Sequence, residues 1–263
     1  PTAEELLELK RKLVEEMVPD FLATVDTMAA LAGAIPQFER ETEFISLRND
    51  DEYALYDGDI CSTDTGMVDD HEYRKMTNEH VVTHSSSKHC KANRSSYMVG
   101  ALARFNNNHD KLCDAAKDAA EKLGLKPGCC NPYMNTIAQV VEAGHCALDS
   151  VAIIDQLLEA GLKDEKPNQE PTKYGTGIGA TEVPRGILYH EYTYDRQGRM
   201  VKANCIIPTG QNLANIDDDM KKLVPEFIDK SKEEITLMLE MLVRAYDPCI
   251  SCSVHMLDVD FIE

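Results

Sequence analysis

The sequence contains no tryptophan, an absence that excludes nothing by itself, and it is short of positive charge. Lys and Arg number 27 against 46 Asp and Glu, for a net charge of −19. A surface of that sign repels phosphate backbones, so no nucleic-acid partner is expected. Uninterrupted apolar runs of roughly 18–20 residues, the length of a membrane span, are also missing, so no span is expected. No signal-like segment is expected ahead of Pro1, and a cytoplasmic location is the expectation. The cysteines lack even number and regular spacing: there are nine, scattered from Cys61 to Cys252 over 263 residues. That pattern argues against a secreted disulfide scaffold and for a reducing compartment.

What is present is a series of helical signals with a few strands. Thr2-Ala3-Glu4-Glu5 reads as a capping box. Leu6, Leu9, Leu13, Met17, Phe21, Val25, Met28 and Leu31 then recur at three- and four-residue steps, an amphipathic helix with a kink expected near Pro19. A chain that opens at a cap without an initiator Met is expected to have lost its beginning. Short strands are expected between Phe44 and Ile60, and helices over His71 to Val82 and Asp110 to Leu123, the latter stopped by Gly124. Asn131-Pro132 is an N-cap and first-turn pair opening a long helix to Gly161. Residues 162–180 read as a polar linker. Ile187 to Tyr194 and Met200 to Ile207 flank Asp195-Arg196-Gln197-Gly198, the strongest hairpin signal of the chain. A last helix is expected from Ser231 to Tyr246, stopped by Asp247-Pro248. The elements predict an α+β fold in one domain, helix-dominated, with long helices and one or two β-hairpins.

The densest chemical text is Asp247-Pro248-Cys249-Ile250-Ser251-Cys252-Ser253-Val254-His255. Two thiols three residues apart on a turn can chelate one metal, and Pro248 stiffens that turn. Thiolates are soft ligands that suit nickel, copper, zinc and iron–sulfur clusters. Spacing alone leaves open a zinc site, a redox dithiol or two buried cysteines. Zinc would want two further ligands, and Cys129-Cys130 is a poor pair because adjacent side chains diverge.

Taken together, these motifs resemble the large subunit of nickel–iron hydrogenases. Asp-Pro-Cys-x-x-Cys-x-x-His at 247–255 is similar to that family's closing signature. Glu182-Val183-Pro184-Arg185-Gly186, followed by Leu188 and His190, resembles its Glu-x-Pro-Arg-Gly segment. Ile207-Pro208-Thr209-Gly210-Gln211-Asn212 resembles the loop that lines its iron. His84-Ser85 with Lys88, and Tyr97-Met98-Val99-Gly100-Ala101-Leu102-Ala103-Arg104, also look like this family, and its cytoplasmic, cofactor-coupled branch in particular. One departure matters. The family's first signature, Arg-x-Cys-Gly-x-Cys, is absent, and the lone Cys61 cannot replace a chelating pair. The resemblance therefore implies a C-terminal part of the large-subunit fold, complete only with an N-terminal part.

The resemblance implies a Ni–Fe centre held by four thiolates, with carbon monoxide and cyanide on the iron. Cys249 would be a terminal nickel ligand and Cys252 a bridge to iron. Hydrogen would be cleaved reversibly and heterolytically, a base taking the proton. Arg185 would sit over the iron, donating to a cyanide; whether it or a cysteine thiolate accepts the proton stays open. Thr209 would donate to the other cyanide, Asp247 would hold Arg185, and Pro184 would shape its turn. His255 would ligate a magnesium or iron ion, with the main-chain carbonyl of Cys205 as a further ligand. Expected partners are an iron–sulfur small subunit, the N-terminal large-subunit part and electron-transfer subunits, together a hetero-oligomer. The alternatives are a non-catalytic scaffold or electron-transfer subunit without nickel, and a small zinc protein.

Other residues carry plainer expectations. The thiol of Cys205 is expected to face inward from a strand, and His145 to be a satisfied core histidine. His84, His89 and Cys90 could suggest a metal cluster, but a helix edge against a partner is the expectation. Gly175-Thr176-Gly177-Ile178-Gly179 lacks the Lys-Ser/Thr pair of a phosphate loop. Leu257, Val259 and Phe261 alternate with Asp258 and Asp260, so residues 256–263 are expected to form an ordered, half-buried strand with Phe261 buried.

Overall fold

In the computed structural model, which describes residues 1–164 and 174–249, the chain begins with a long interrupted helix. Thr2 and Glu5 cap it reciprocally, and α1 spans Ala3–Lys12. A π-helical turn over Leu13–Met17 separates it from α2, Val18–Leu31. Pro19 has no N–H for the carbonyl one turn back, and the wider π-helical turn before it takes up that mismatch.

Three antiparallel strands follow, β1 (Glu43–Arg48), β2 (Asp59–Ser62) and β3 (Gly66–Val68). The expected helix over His71 to Val82 does not form. Instead, a 3-10 turn covers Asp70–Lys75, capped by Asp69, and β4 (Asn78–His80) follows and pairs with β5 (His89–Lys91). Tyr73 and Met76 are the only apolar side chains buried there, while Val81 is 82% exposed, so a single short turn satisfies the apolar pair. His84 and His89 thus belong to a hairpin and not to a helix edge.

β6 (Tyr97–Met98) adds in parallel to β1, giving a sheet in the order β3-β2-β1-β6. It runs into α3 (Ala101–Asn108), a helix too short and too polar to be read from periodicity. Helix α4 covers Asp114–Lys122, four residues later than expected, because a separate 3-10 turn occupies His109–Lys111. Asn131 caps a 3-10 turn that leads into α5 (Asn135–Ala160), which ends at Gly161 with φ +78°. This helix is long and apolar enough to cross a membrane, yet it packs against α1, α2, α3 and α4.

The expected linker is a strand in its second part. β7 (Gly175–Val183) pairs along its whole length with β8 (Gly186–Tyr194), which pairs with β9 (Met200–Ile206). Glycines at 175, 177 and 179 disguised the strand, because they erase the alternation that a strand normally shows. Residues 207–212, expected as a loop, instead open α6 (Pro208–Leu223), with Pro208 in the first turn. Helix α7 (Lys232–Ala245) is capped by Ser231 and Glu234. Cys252, His255 and the 256–263 tail lie outside the described residues.

Two apolar cores result. One joins α2–α7 through Leu102, Phe105, Ile137, Val141 and Leu242. The other lies between the two larger sheets, around Ile45, Leu47, Tyr97, Ile187 and Tyr189. Helix α5 crosses α2 at Gly144, where an added Cβ would stand 2.3 Å from Phe21 Cζ. Alanine is about 1 kcal/mol better than glycine inside an exposed helix, but overpacking costs about 1–3 kcal/mol. Gly144→Ala is therefore expected to lower the urea midpoint despite its better propensity. A raised midpoint would show that α2 does not seat its phenylalanine there.

Candidate metal centre

The part of the chain that carries the site is organised around a buried cation. Arg104 of α3 is 1% exposed, and all five of its N–H donors are used. Nε and Nη2 donate to the Glu142 carboxylate of α5 at 2.5 and 2.6 Å, and Nη1 donates to Glu182 Oε2 at 2.7 Å. The other two reach the carbonyls of Val183 at 3.0 Å and Pro184 at 3.1 Å. Glu182 Oε1 also accepts from the Leu47 N–H at 2.8 Å, and Tyr53 donates to Glu142 at 2.9 Å. One guanidinium between two carboxylates leaves an excess negative charge. Burial and the Glu142 charge push the Glu182 carboxyl up to about 7, against the pull of Arg104. Burial opposes the Arg104 charge, but Glu142 and Glu182 together hold the guanidinium firmly protonated.

The two carbonyls bound by Arg104 belong to the tight turn between β7 and β8, where Val183 pairs with Gly186. Pro184 and Arg185 form its tip, and proline at the first corner fixes φ for such a turn. The turn is pressed against the strand-to-helix corner at Gly100. A Cβ on Gly186 would meet Val99 Cγ2 at 2.4 Å, and one on Gly100 would meet the Arg185 carbonyl at 3.2 Å. Both glycines hold positive φ, +134° and +117°, which a side chain would also strain.

Arg185 projects from this turn onto Asp247. Nε donates to the Asp247 carbonyl at 2.5 Å and Nη2 to Asp247 Oδ1 at 3.2 Å. Asp247 Oδ2 accepts from Gln139 of α5 at 3.1 Å. Asp247 is just past the end of α7 with φ +49°, the only non-glycine among the described residues with positive φ. Glycine is usual at that place; here the carboxylate is needed to hold Arg185. The following Cys249 is fixed by its own N–H, which donates to Thr209 Oγ1 at 3.2 Å in the first turn of α6.

A row of buried amides locks these pieces together. Asn135 Oδ1 accepts from Leu102 N and its Nδ2 donates to the Ala245 carbonyl, joining the start of α3 to the end of α7. Asn212 clamps both the N–H and the carbonyl of Val99, and Gln211 reaches the Ile187 carbonyl at 2.7 Å. Asn215 donates to the Tyr246 hydroxyl at 2.7 Å.

A family description of nickel-dependent hydrogenase matches residues 32–255. The chain belongs to that family. The alpha subunit of sulfhydrogenase 1 of Pyrococcus furiosus is 36% identical over 207 residues, 78% of this chain and 47% of that protein. In the F420-non-reducing hydrogenase of Methanothermobacter thermautotrophicus, the matching subunit is 29% identical over 277 residues, covering 97% of this chain and 56% of the relative. This chain therefore spans about half the length of the curated relatives it matches. Its fold is similar to that of an NAD+-reducing [NiFe]-hydrogenase in the H2-reduced state, with TM-score 0.76 and 24% identity over 97% of this chain and 60% of the other.

In this hydrogenase-family chain Arg185, Asp247, Thr209 and Cys249 meet at one place. Cys205 stands elsewhere than expected. It is opposite His190 on the outer face of β9, exposed, with Sγ 3.3 Å from the Tyr192 hydroxyl and 3.4 Å from His190 Nδ1. Strand register decides this, since Tyr189 and Ile206 take the inward positions. His145 is buried, and its Nδ1 accepts from the Cys113 N–H at 3.1 Å. Reading motifs alone missed Glu142, Gln139 and Asn135. Their spacing on α5, seven and four residues, places three polar side chains on one stripe of the helix, which is a signal the sequence does contain.

Two outcomes follow from the buried cluster. Arg104→Met strands two carboxylates and is expected to cost about 3–5 kcal/mol in urea unfolding, whereas Arg11→Met on the exposed face of α1 is expected to leave the midpoint nearly unchanged. An equal response from both would mean that the Arg104 cluster contributes nothing special. Because Glu182 holds its proton to higher pH when folded, its contribution is full below about 4.5 and is lost as pH rises through about 7. Glu182→Gln should flatten the fall in stability over that window, and an unchanged slope would assign it to other groups.

Proposed function

We propose that this chain is the C-terminal part of the catalytic subunit of a nickel–iron hydrogenase, carrying out reversible heterolytic cleavage of H2 once an upstream part supplies the other thiolate pair. The observation that carries this reading is the Arg185 geometry. Asp247 binds one edge of the guanidinium through Nε and Nη2, while Nη1 makes no bond among the described residues. A guanidinium held by one edge beside Cys249, with another N–H available, fits a small anionic acceptor such as a metal-bound cyanide. The thiolate chemistry of Cys249 fits nickel.

In this reading Cys249 and Cys252 hold the Ni–Fe centre with its carbon monoxide and cyanide ligands. That centre, when bound, supplies the redox chemistry of hydrogen. Arg185 donates to cyanide and stabilises charge that develops beside it, and Thr209 donates a second bond while its oxygen fixes the Cys249 backbone. His255, with the Cys205 carbonyl, would hold a magnesium or iron ion. The proton would be taken by a cysteine thiolate, or by Arg185 once its guanidinium had given up a proton of its own. An iron–sulfur small subunit, with electron-transfer subunits, would complete a cytoplasmic hetero-oligomer.

The test is a pair of variants in the assembled protein. Cys249→Ser is expected to abolish hydrogen uptake and to lose nickel, because a hydroxyl is a hard, weakly acidic substitute for a thiolate. Arg185→Lys should retain nickel yet lower turnover by about 100-fold or more, since lysine keeps the charge but loses the planar fork. Wild-type turnover in Cys249→Ser would remove the hydrogenase reading. Nickel content falling in step with activity in Arg185→Lys would make Arg185 an assembly residue.

A further inference from the structure

The β4–β5 hairpin and the middle of α6 gather three imidazoles and a carboxylate that the thiolate site does not use. Strand register sets His80 directly opposite His89, and the intervening loop brings His84 back to the same ring. The ring centres of His84 and His89 are 5.4 Å apart, and those of His80 and His89 are 6.2 Å apart. Helix α6 packs along β5 and contributes Asp217, whose Oδ2 stands 3.8 Å from His84 Nε2.

We propose that His80, His84, His89 and Asp217 form a binding site for one borderline divalent transition-metal ion, of which Zn2+ is the type. Zinc–nitrogen bonds of about 2.0–2.1 Å keep the centres of two imidazoles on one ion roughly 5–6 Å apart. The two spacings here match that range to within a few tenths of an ångström. Three neutral nitrogens and one carboxylate oxygen would make a tetrahedral set once their ligand atoms converge, and imidazole suits zinc, copper and nickel. A ligating imidazole must be unprotonated. Burial holds His89 below its ordinary range, against the pull of Asp217. The second observation is on His80: its Nδ1 is buried and has no hydrogen-bond partner among the described residues. An unsatisfied buried polar atom is destabilising, and ligation would offset that cost.

As described, the rings meet edge to face at 78° and 80°, and Lys221 Nζ holds Asp217 Oδ2 at 2.8 Å. Binding therefore requires His84 to turn and Lys221 to let go. The side chains of His84 and Lys221 are 60% and 67% exposed, so both rearrangements occur against water and displace no core atoms.

Zinc alone is the probe, added to the full 263-residue chain carrying Cys249→Ser and Cys252→Ser so that the thiolate pair cannot compete. Equilibrium dialysis is expected to give one saturable site per chain, weakened about tenfold or more by His84→Ala. Because His84 is exposed, that change leaves the fold intact. His71→Ala, which disrupts the exposed Asp69–Asp70–His71 group, should leave the affinity unchanged. No saturable site on this background, or a site that survives His84→Ala but is lost with His71→Ala, would overturn the proposal. If the cysteine variants fail to fold, Co2+ added to the wild-type chain makes the same distinction. Nitrogen and oxygen ligands give weak visible bands without intense thiolate charge transfer. The weak bands must vanish in His84→Ala, and their persistence there would equally defeat the assignment.

Discussion

The Arg104 guanidinium is the constraint on which the site depends. A charge that is 1% exposed is tolerable only because five acceptors surround it, and those acceptors come from α5, β7 and the turn after β7. Moving any one of them would leave a buried donor unsatisfied. The turn bearing Arg185 is therefore held by its own main-chain carbonyls, whatever its side chain does. Glu182 extends the same network to the first sheet through the Leu47 N–H. A single cation so fixes the relative position of a helix bundle and two sheets.

The same economy appears on the other side of Arg185. Asp247 accepts a left-handed backbone because its carboxylate and carbonyl are both engaged by the arginine. Proline next to it and the Thr209 hydroxyl behind Cys249 then leave the chain little freedom at Cys249. Preorganisation of this kind matters for a centre whose ligands must act within fractions of an ångström. The buried amides of α6 and α5 serve the same end. They bond main-chain groups at the ends of β6, α3 and α7 that no regular element satisfies.

The strand meander shows a division between its two faces. The inner face carries Ile187, Tyr189 and Ile206, all buried. The outer face carries glycines at 175, 177 and 179 beside His190, Tyr192 and Tyr194, paired across the ladder. The inner face anchors the arginine turn, while the outer face leaves Cys205 and its two neighbours open. Depth in this sheet thus follows from register and not from residue type.

Several features were already set by the linear sequence. The caps at Thr2, Asn131 and Ser231, the hairpin around Asp195 to Gly198 and the stop at Asp247-Pro248 depend on neighbours within a few residues, so local chemistry specifies them. The motifs holding Arg185, Thr209, Asp247 and Cys249 were legible for the same reason. Other features were decided by long-range contact. Short α3 and the polar start of α6 become helices because buried amides and the Arg104 cluster hold them. The segment 78–91 becomes a hairpin because β5 buries His89 and Cys90 while Val81 faces water, a burial that alternating strands satisfy and one helix face does not. Glycine-rich β7 becomes a strand because β8 offers it a full ladder. Periodicity and caps report what a segment does within one or two turns. Which buried charge finds its partners, and which face of a strand is inner, depend on residues brought together from distant parts of the chain.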